Sequence, residues 1–182
     1  MLDLGAGSGW PGLYLAQLTG CEVVLVDLPV AALRIARERA AADGLAQRCK
    51  AVVADGAALP FEDASFDGVV SVAAIDHLNR DGVERTLAEV TRVLRPEGQF
   101  LLMVVNPDVW TRIAMPFLHG HGYFGGRAHP ERWRSQLSAA GLEIVEEGTQ
   151  PASLYFLTQK ASQSRYGSAK TYTAPPSGTS GY

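Results

Sequence analysis

Short β-branched apolar runs alternate along this chain with longer stretches whose apolar residues recur at helical spacing, a pattern of βα units laid on a parallel sheet. Strands are predicted over Met1–Leu4, Glu22–Asp27, Lys50–Val53, Asp67–Val72, Gln99–Val105, Leu142–Glu147 and Ser153–Lys160. Helices are expected near Trp10–Leu18, Val30–Ala42, Asp81–Leu94 and Pro130–Ala140. In the third helix Val83, Leu87, Val90 and Leu94 share one face, and Asp81 with Glu84 has the form of a capping box. Arg95-Pro96-Glu97-Gly98 stops that helix and turns the chain into Gln99–Val105, so apolar that it should be covered on both faces. Arg34, Arg37 and Glu38 read as a solvated helix face. The fold class is α/β.

Length and composition narrow the picture. The chain has 182 residues, 47% of them hydrophobic, and a net charge of -3, which fits one globular domain. From Ser162 to Tyr182 the character changes: 13 of 21 residues are Ser, Thr, Gly or Pro, and none is Val, Ile, Leu or Met. Such a stretch cannot bury a core, so residues 1–161 are expected to fold and 162–182 to form a flexible tail. Cys21 and Cys49 are too few for a disulfide scaffold, and no Cys/His cluster has zinc-ligand spacing. Apolar runs fall far short of the roughly 20 residues that span a bilayer, and no leader is visible. These features predict a cytoplasmic protein that acts on a small molecule, with neither membrane nor nucleic acid as partner.

The opening Met1-Leu2-Asp3-Leu4-Gly5-Ala6-Gly7-Ser8-Gly9-Trp10-Pro11-Gly12 is a strand, a glycine loop and a helix start, where missing Cβ atoms let backbone approach a ligand. Two registers compete. Gly7-x-Gly9-x-x-Gly12 matches the dinucleotide fingerprint, whose helix N-terminus holds a pyrophosphate. In the register that starts at Gly5, the third position is Trp10, too large for close helix-to-strand packing. Asp3-x-Gly5-x-Gly7-x-Gly9 fits the strand end better and adds a carboxylate, which favours an ammonium-bearing ligand over a pyrophosphate. Asp27, 22 residues beyond Gly5, lies near the ~20-residue spacing at which an acid meets a ribose in either kind of site.

At Asp3-Leu4-Gly5-Ala6-Gly7-Ser8-Gly9, Val26-Asp27-Leu28, Asp55-Gly56-Ala57 with Leu59-Pro60-Phe61, and Ser65-Phe66-Asp67, taken in order, the chain resembles the class I S-adenosylmethionine-dependent methyltransferases. The resemblance runs from Met1 to about Lys160. It implies a doubly wound, mostly parallel seven-stranded Rossmann-like sheet in which the last two runs form a closing pair. It also implies S-adenosylmethionine as cofactor. The loop of Asp3, Gly5, Ala6, Gly7 and Gly9 would pass beside the methionine portion, Asp27 with Leu28 would hold the ribose, and Asp55, Gly56 and Ala57 the adenine, with Val72 completing the set. Members of that family usually carry helices ahead of the first strand that cover the cofactor. Here the sequence opens on that strand, so the resemblance leaves a truncated reading frame, an unusually open site, or a lid supplied by another copy of the chain or by a partner chain.

Methyl transfer from a sulfonium is an in-line displacement, which needs positioning and exclusion of water more than a covalent nucleophile. A hydroxyl or protonated amine acceptor also needs a base, and His suits that work near neutral pH. His77, ten residues after Asp67, is the catalytic candidate, with Asp76 beside it read as a local cap. His119, His121 and His129 fall in the segment Asn106–His129 with Trp110, Phe117, Tyr123 and Phe124, read as acceptor pocket and lid. No metal site is expected. Arg127, Arg132 and Arg134 read as a solvated helix start. Transfer of a methyl group from S-adenosylmethionine to a small molecule, at oxygen, nitrogen or carbon, is the leading expectation. A catalytically inactive cofactor-binding partner or regulatory domain and an NAD-dependent oxidoreductase are the alternatives.

Overall fold

The structure, a computed structural model, describes residues 1–106, 129–150 and 153–161. Seven strands form one sheet: β1 (Leu2–Leu4), β2 (Val23–Asp27), β3 (Cys49–Val53), β4 (Phe66–Val72), β5 (Leu94–Val105), β6 (Leu142–Gln150) and β7 (Ser153–Lys160). The order across the sheet is β3-β2-β1-β4-β5-β7-β6. Pairs from β3 to β5 are parallel, while β7 runs antiparallel to β5 and to β6, so the last two strands form the expected closing pair. Helices α1 (Trp10–Thr19), α2 (Val30–Ala42), α3 (Arg80–Val93) and α4 (Pro130–Ala139) flank the sheet. Because β1 lies between β2 and β4, chain direction across the sheet reverses at β1/β4, and a crevice opens there at the carboxyl ends.

Two cores form, one on each face. Leu2, Leu4, Val26, Phe100, Leu102 and Val104 pack with Val83, Leu87 and Val90 of α3 and with Trp133 and Leu137 of α4. On the other face, Leu13 and Ala16 of α1 and Leu33, Ala36 and Ala40 of α2 pack over Val23 and Leu25. The face of α2 that carries Arg34, Arg37 and Glu38 is exposed, as the pattern predicts. Cys21 and Cys49 are free thiols near the start of paired strands, and burial followed by the nearby Cys21 raises the Cys49 pKa.

Several local expectations change. The cap of α3 is Asn79, whose side chain accepts from the Gly82 N–H at 2.8 Å; Asp81 and Glu84 instead pair along the helix with Arg85 and Arg80. The cap falls at Asn79 because α3 starts at Arg80, which places Asp81 already inside the first turn. Leu94 pairs with Phe66 and already belongs to β5, after which residues 95–98 bulge out, with Glu97 at φ 62, before pairing resumes at Gln99. β5 is not sealed on both faces: Phe100, Leu102 and Val104 are buried, while Leu101, Met103 and Val105 are half-buried. The side that carries α3 is the sealed one. Residues 107–128, where the sequence suggested a lid, and 162–182, where it suggested a tail, lie outside the described residues.

Candidate active site

The glycine loop is built by the sheet beneath it. Gly5 N and Ala6 N both donate to Val26 O, at 2.8 and 3.0 Å, which bends the chain over the end of β2. Gly5 has φ +74, and a Cβ there would stand 2.2 Å from the Ala74 Cβ, so only glycine fits between β1 and the turn after β4. Gly12 answers a different need. A Cβ on it would meet Asp3 Oδ2 and Leu25 Cδ2 at 2.6 Å, so its absence lets α1 lie close on the sheet. That is the packing role which the third glycine plays in dinucleotide sites, and here it serves a loop opened by Gly5 and Gly7.

Asp27 ties the loop to the end of β2. Its Oδ2 accepts from Gly7 N at 2.6 Å and its Oδ1 from Leu28 N at 2.8 Å. Both oxygens keep further lone pairs for a ligand. Asp55 makes the analogous turn after β3, accepting from Ala57 N at 2.9 Å, and its side chain is exposed at the rim. A cavity of about 120 Å³ joins these turns, lined by Gly5, Asp27, Leu28, Asp55 and Gly56 together with Leu4, Val26, Ala54, Ala74, Ile75, Leu78 and Thr86. A larger groove of about 890 Å³ runs between α2 and the edge strand β3, but it is lined by surface Arg34, Arg37, Lys50 and Val53 and is remote from the loop. The motifs converge on the smaller cavity.

Asp3 takes a different place from the one its pattern suggested. It is fully buried beneath the loop, with Oδ2 accepting from Gly12 N at 2.9 Å and Oδ1 without a hydrogen-bond partner. It therefore fastens the start of α1 beneath the loop and does not face the cavity. Burial pushes its carboxyl up to about 7; the Gly12 N–H pulls the other way, and the negative charge of Asp27 adds to the rise. Ala6, Gly7, Gly9, Ala57 and Val72 do not line the cavity, although Gly7 is open, with nothing within 4 Å of where its Cβ would be.

The turn after β4 is a single 3-10 turn, Ile75–His77. Its Ile75 and the following Leu78 line the cavity, while His77, between them in sequence, is exposed and is not among the lining residues. Asp76 is not a local cap: it is buried, and its Oδ2 accepts from Val105 N at 3.1 Å, tying this turn to the end of β5. His129 stands at the N-cap of α4, and Arg134 in α4 pairs with Glu131 and with Glu147 of β6.

Sequence reasoning missed the parts that stiffen the site. Arg92 of α3 donates to Leu59 O and Phe61 O at 3.0 and 2.7 Å and pairs with Glu89 and Asp63, while Glu89 accepts from Leu59 N. Leu59-Pro60-Phe61 is thus a segment clamped to α3. Arg39 of α2 similarly reaches Ser8 in the glycine loop, at 3.0 Å to its hydroxyl. The signal for Thr86 was in the pattern: it occupies a slot on the apolar face of α3, between Val83 and Leu87, where a polar residue needs a reason.

Residues 1–98 match the methyltransferase domain family. The demethylmenaquinone methyltransferase of Thermus thermophilus is 33% identical over 170 residues, covering 81% of this chain and 76% of its own. The chain belongs to the class I S-adenosylmethionine-dependent methyltransferases. Methyltransferase GfsG of Streptomyces halstedii is 30% identical over 151 residues, which cover 80% of this chain and 53% of that protein. This member of the family therefore spans about half the length of GfsG. Among solved structures, a SAM-dependent methyltransferase from Methanosarcina mazei superposes with a TM-score of 0.72 at 24% identity, covering 88% of this chain and 91% of that one. The [4+2]-cyclase SpnF superposes equally well, with a TM-score of 0.72 at 19% identity, covering 88% and 73%. The fold alone therefore does not fix the reaction.

S-adenosylmethionine is the cofactor of the family, and the residues present fit it. Asp27, whose carboxylate has lone pairs to spare, and Thr86, whose hydroxyl has no partner, line the cavity, and Gly7 in the adjoining loop has open space where a Cβ would stand. Among the described residues, no group of three or more His, Cys, Asp or Glu could hold a metal ion. No helix among them is long and apolar enough to cross a membrane.

Proposed function

We propose that this protein transfers the methyl group of S-adenosylmethionine to a small-molecule acceptor at the carboxyl edge of β1, β2 and β4. The observation that carries this reading is Asp27, which ends β2, fastens the glycine loop and faces a cavity whose far wall is the Asp55-Gly56 turn. In this reading Asp27 holds the ribose hydroxyls, the Asp55 turn meets the adenine, and the loop from Gly5 to Gly9 runs beside the amino-acid tail. Above about pH 7, where it is ionised, Asp3 beneath the loop favours the ammonium of that tail. When bound, the cofactor supplies an electrophilic methyl group on a positively charged sulfur.

The protein's own tasks are to hold the acceptor in line, to keep water out and to take up a proton where the accepting atom carries one. His77, exposed in the turn whose Ile75 and Leu78 line the cavity, is our candidate for that proton. Quinone and amine methylation are both represented in the names of relatives: the demethylmenaquinone enzyme, and a glycine/sarcosine/dimethylglycine N-methyltransferase of Actinopolyspora halophila that is 37% identical over 147 residues, 80% of this chain and 26% of its own. Cover for the site by another copy or a partner chain belongs to the same proposal. Helix α1 carries no charged residue, and its outer stripe of Trp10, Tyr14 and Leu18 is 63%, 57% and 67% exposed, an apolar surface for such a cover to meet.

The test is transfer of radiolabelled methyl from S-adenosylmethionine to a panel containing a prenylated hydroquinone, a sterol, sarcosine and a simple phenol. Product on at least one acceptor is expected. With that acceptor, His77→Ala should lower kcat about 100-fold, in the range of a lost general base, and leave S-adenosylhomocysteine affinity within about twofold of wild type. Unchanged kcat would remove His77 from the mechanism. Cofactor binding with no product on any acceptor would favour the inactive-partner alternative instead.

A further inference from the structure

We infer that the Thr86 hydroxyl is a further cofactor-reading group, hydrogen-bonded to the adenine side of the bound nucleoside directly or through one trapped water. The inference rests on the cofactor assignment above and extends it to a residue outside every sequence motif.

Thr86 lies nearly two turns into α3, is 1% exposed, and its Oγ1 has no hydrogen-bond partner. A helical Thr commonly satisfies its hydroxyl on the carbonyl one turn back, and this one does not. Its helix neighbours on the same face, Val83, Leu87 and Val90, are apolar and offer nothing in exchange. A hydroxyl buried without a partner costs roughly 1–3 kcal/mol, so an apolar residue would serve a purely structural position better. Ser71 Oγ is also buried and unpartnered, but it does not line the cavity. Thr86 does, alongside Asp55 and Gly56.

Gly56 brings the Thr86 side chain against the Asp55 turn. A Cβ on Gly56 would stand 3.4 Å from Thr86 Cγ2, 3.6 Å from Thr86 Oγ1 and 3.2 Å from Leu4 Cδ1. Thr86 therefore packs directly on Gly56, the residue after Asp55, with no side chain of Gly56 between them. Asp27, the group placed for the ribose, ends a different strand, which leaves the base as the part of the nucleoside nearest Thr86. A hydroxyl both donates and accepts, so it suits a purine edge that carries ring-nitrogen acceptors beside an amino donor.

Thr86→Val keeps the shape and removes the hydroxyl, and Thr86→Ser keeps the hydroxyl and removes the methyl. Thermal unfolding without ligand should show Thr86→Val at least as stable as wild type, since it deletes an unsatisfied buried group. Calorimetry with S-adenosylhomocysteine should show Thr86→Val binding about 5- to 10-fold more weakly, the size of one net hydrogen bond, with Thr86→Ser within about twofold of wild type. The same loss should appear with adenosine alone, which lacks the amino-acid tail. Wild-type affinity in Thr86→Val, an equal loss in Thr86→Ser, or a loss confined to S-adenosylhomocysteine would each overturn the inference. Failure of the wild type to bind S-adenosylhomocysteine at all would overturn the cofactor assignment and this inference with it.

Discussion

Asp27→Ala should weaken S-adenosylhomocysteine binding about 100-fold or more while the protein stays folded. The carboxylate does two jobs that one substitution removes. Its oxygens hold Gly7 N at 2.6 Å and Leu28 N at 2.8 Å, which fixes the loop before any ligand arrives. Its remaining lone pairs face the cavity and are the acceptors assigned to the ribose hydroxyls. Hydrogen bonds to a charged group are worth roughly 1.5–3 kcal/mol each, and losing two of them in the bound state accounts for the 100-fold figure without counting the loosened loop. Calorimetry reads the affinity, and thermal unfolding confirms that the variant is folded. Equal affinity in variant and wild type would refute the ribose assignment.

Asp3→Asn should stabilise the protein and weaken its cofactor binding at the same time. The Asp3 carboxyl is raised from 3.8 to about 7 by burial, so the unfolded chain releases this proton across a pH range in which the folded one keeps it. For an acid with a raised folded pKa, the stabilising contribution is fully present below about pH 3.8 and is lost as pH climbs to about 7. Roughly three pH units at about 1.4 kcal/mol each puts the loss near 4 kcal/mol. Asn can still accept from Gly12 N and carries no charge, so its advantage over wild type should be near zero at pH 4 and greatest above pH 7. Denaturant unfolding of both proteins from pH 4 to pH 8.5 reads this directly, and a constant difference across that range would contradict it. The weaker cofactor binding is expected above about pH 7, where Asp3 is ionised and the substitution deletes the negative charge that favours the ammonium tail. A buried acid that costs stability and sits beneath a ligand loop is the kind of trade that functional sites make.

The contrast between Asp3 and Thr86 shows what could be read from residues alone. Strand and helix positions followed from periodicity because both faces of the sheet bury long side chains, and the α3 face of Val83, Leu87 and Val90 could serve no other purpose. The glycine loop, Asp27 and the Asp55 turn were legible because each combines an unusual backbone need with a charge at a strand end. Asp3 looked like a ligand contact, since sequence spacing records that a carboxylate is near a loop and not whether it points above or below it. Thr86, Ala74 and Leu78 reach the cavity only through the packing of α3 and the turn after β4 against the sheet, contacts distant in sequence. Arg92 and Glu89 carried no signal in the sequence, yet they clamp the Leu59–Phe61 segment to α3.

The central claim is that the crevice between β1 and β4 binds S-adenosylmethionine and not a dinucleotide. Thermal unfolding of the wild-type protein with saturating S-adenosylhomocysteine, and separately with NADH, tests it most directly, because a ligand that binds only the folded state must raise its stability. A clear rise in Tm with S-adenosylhomocysteine and none with NADH is the expected result. A rise with NADH and none with S-adenosylhomocysteine would contradict the account.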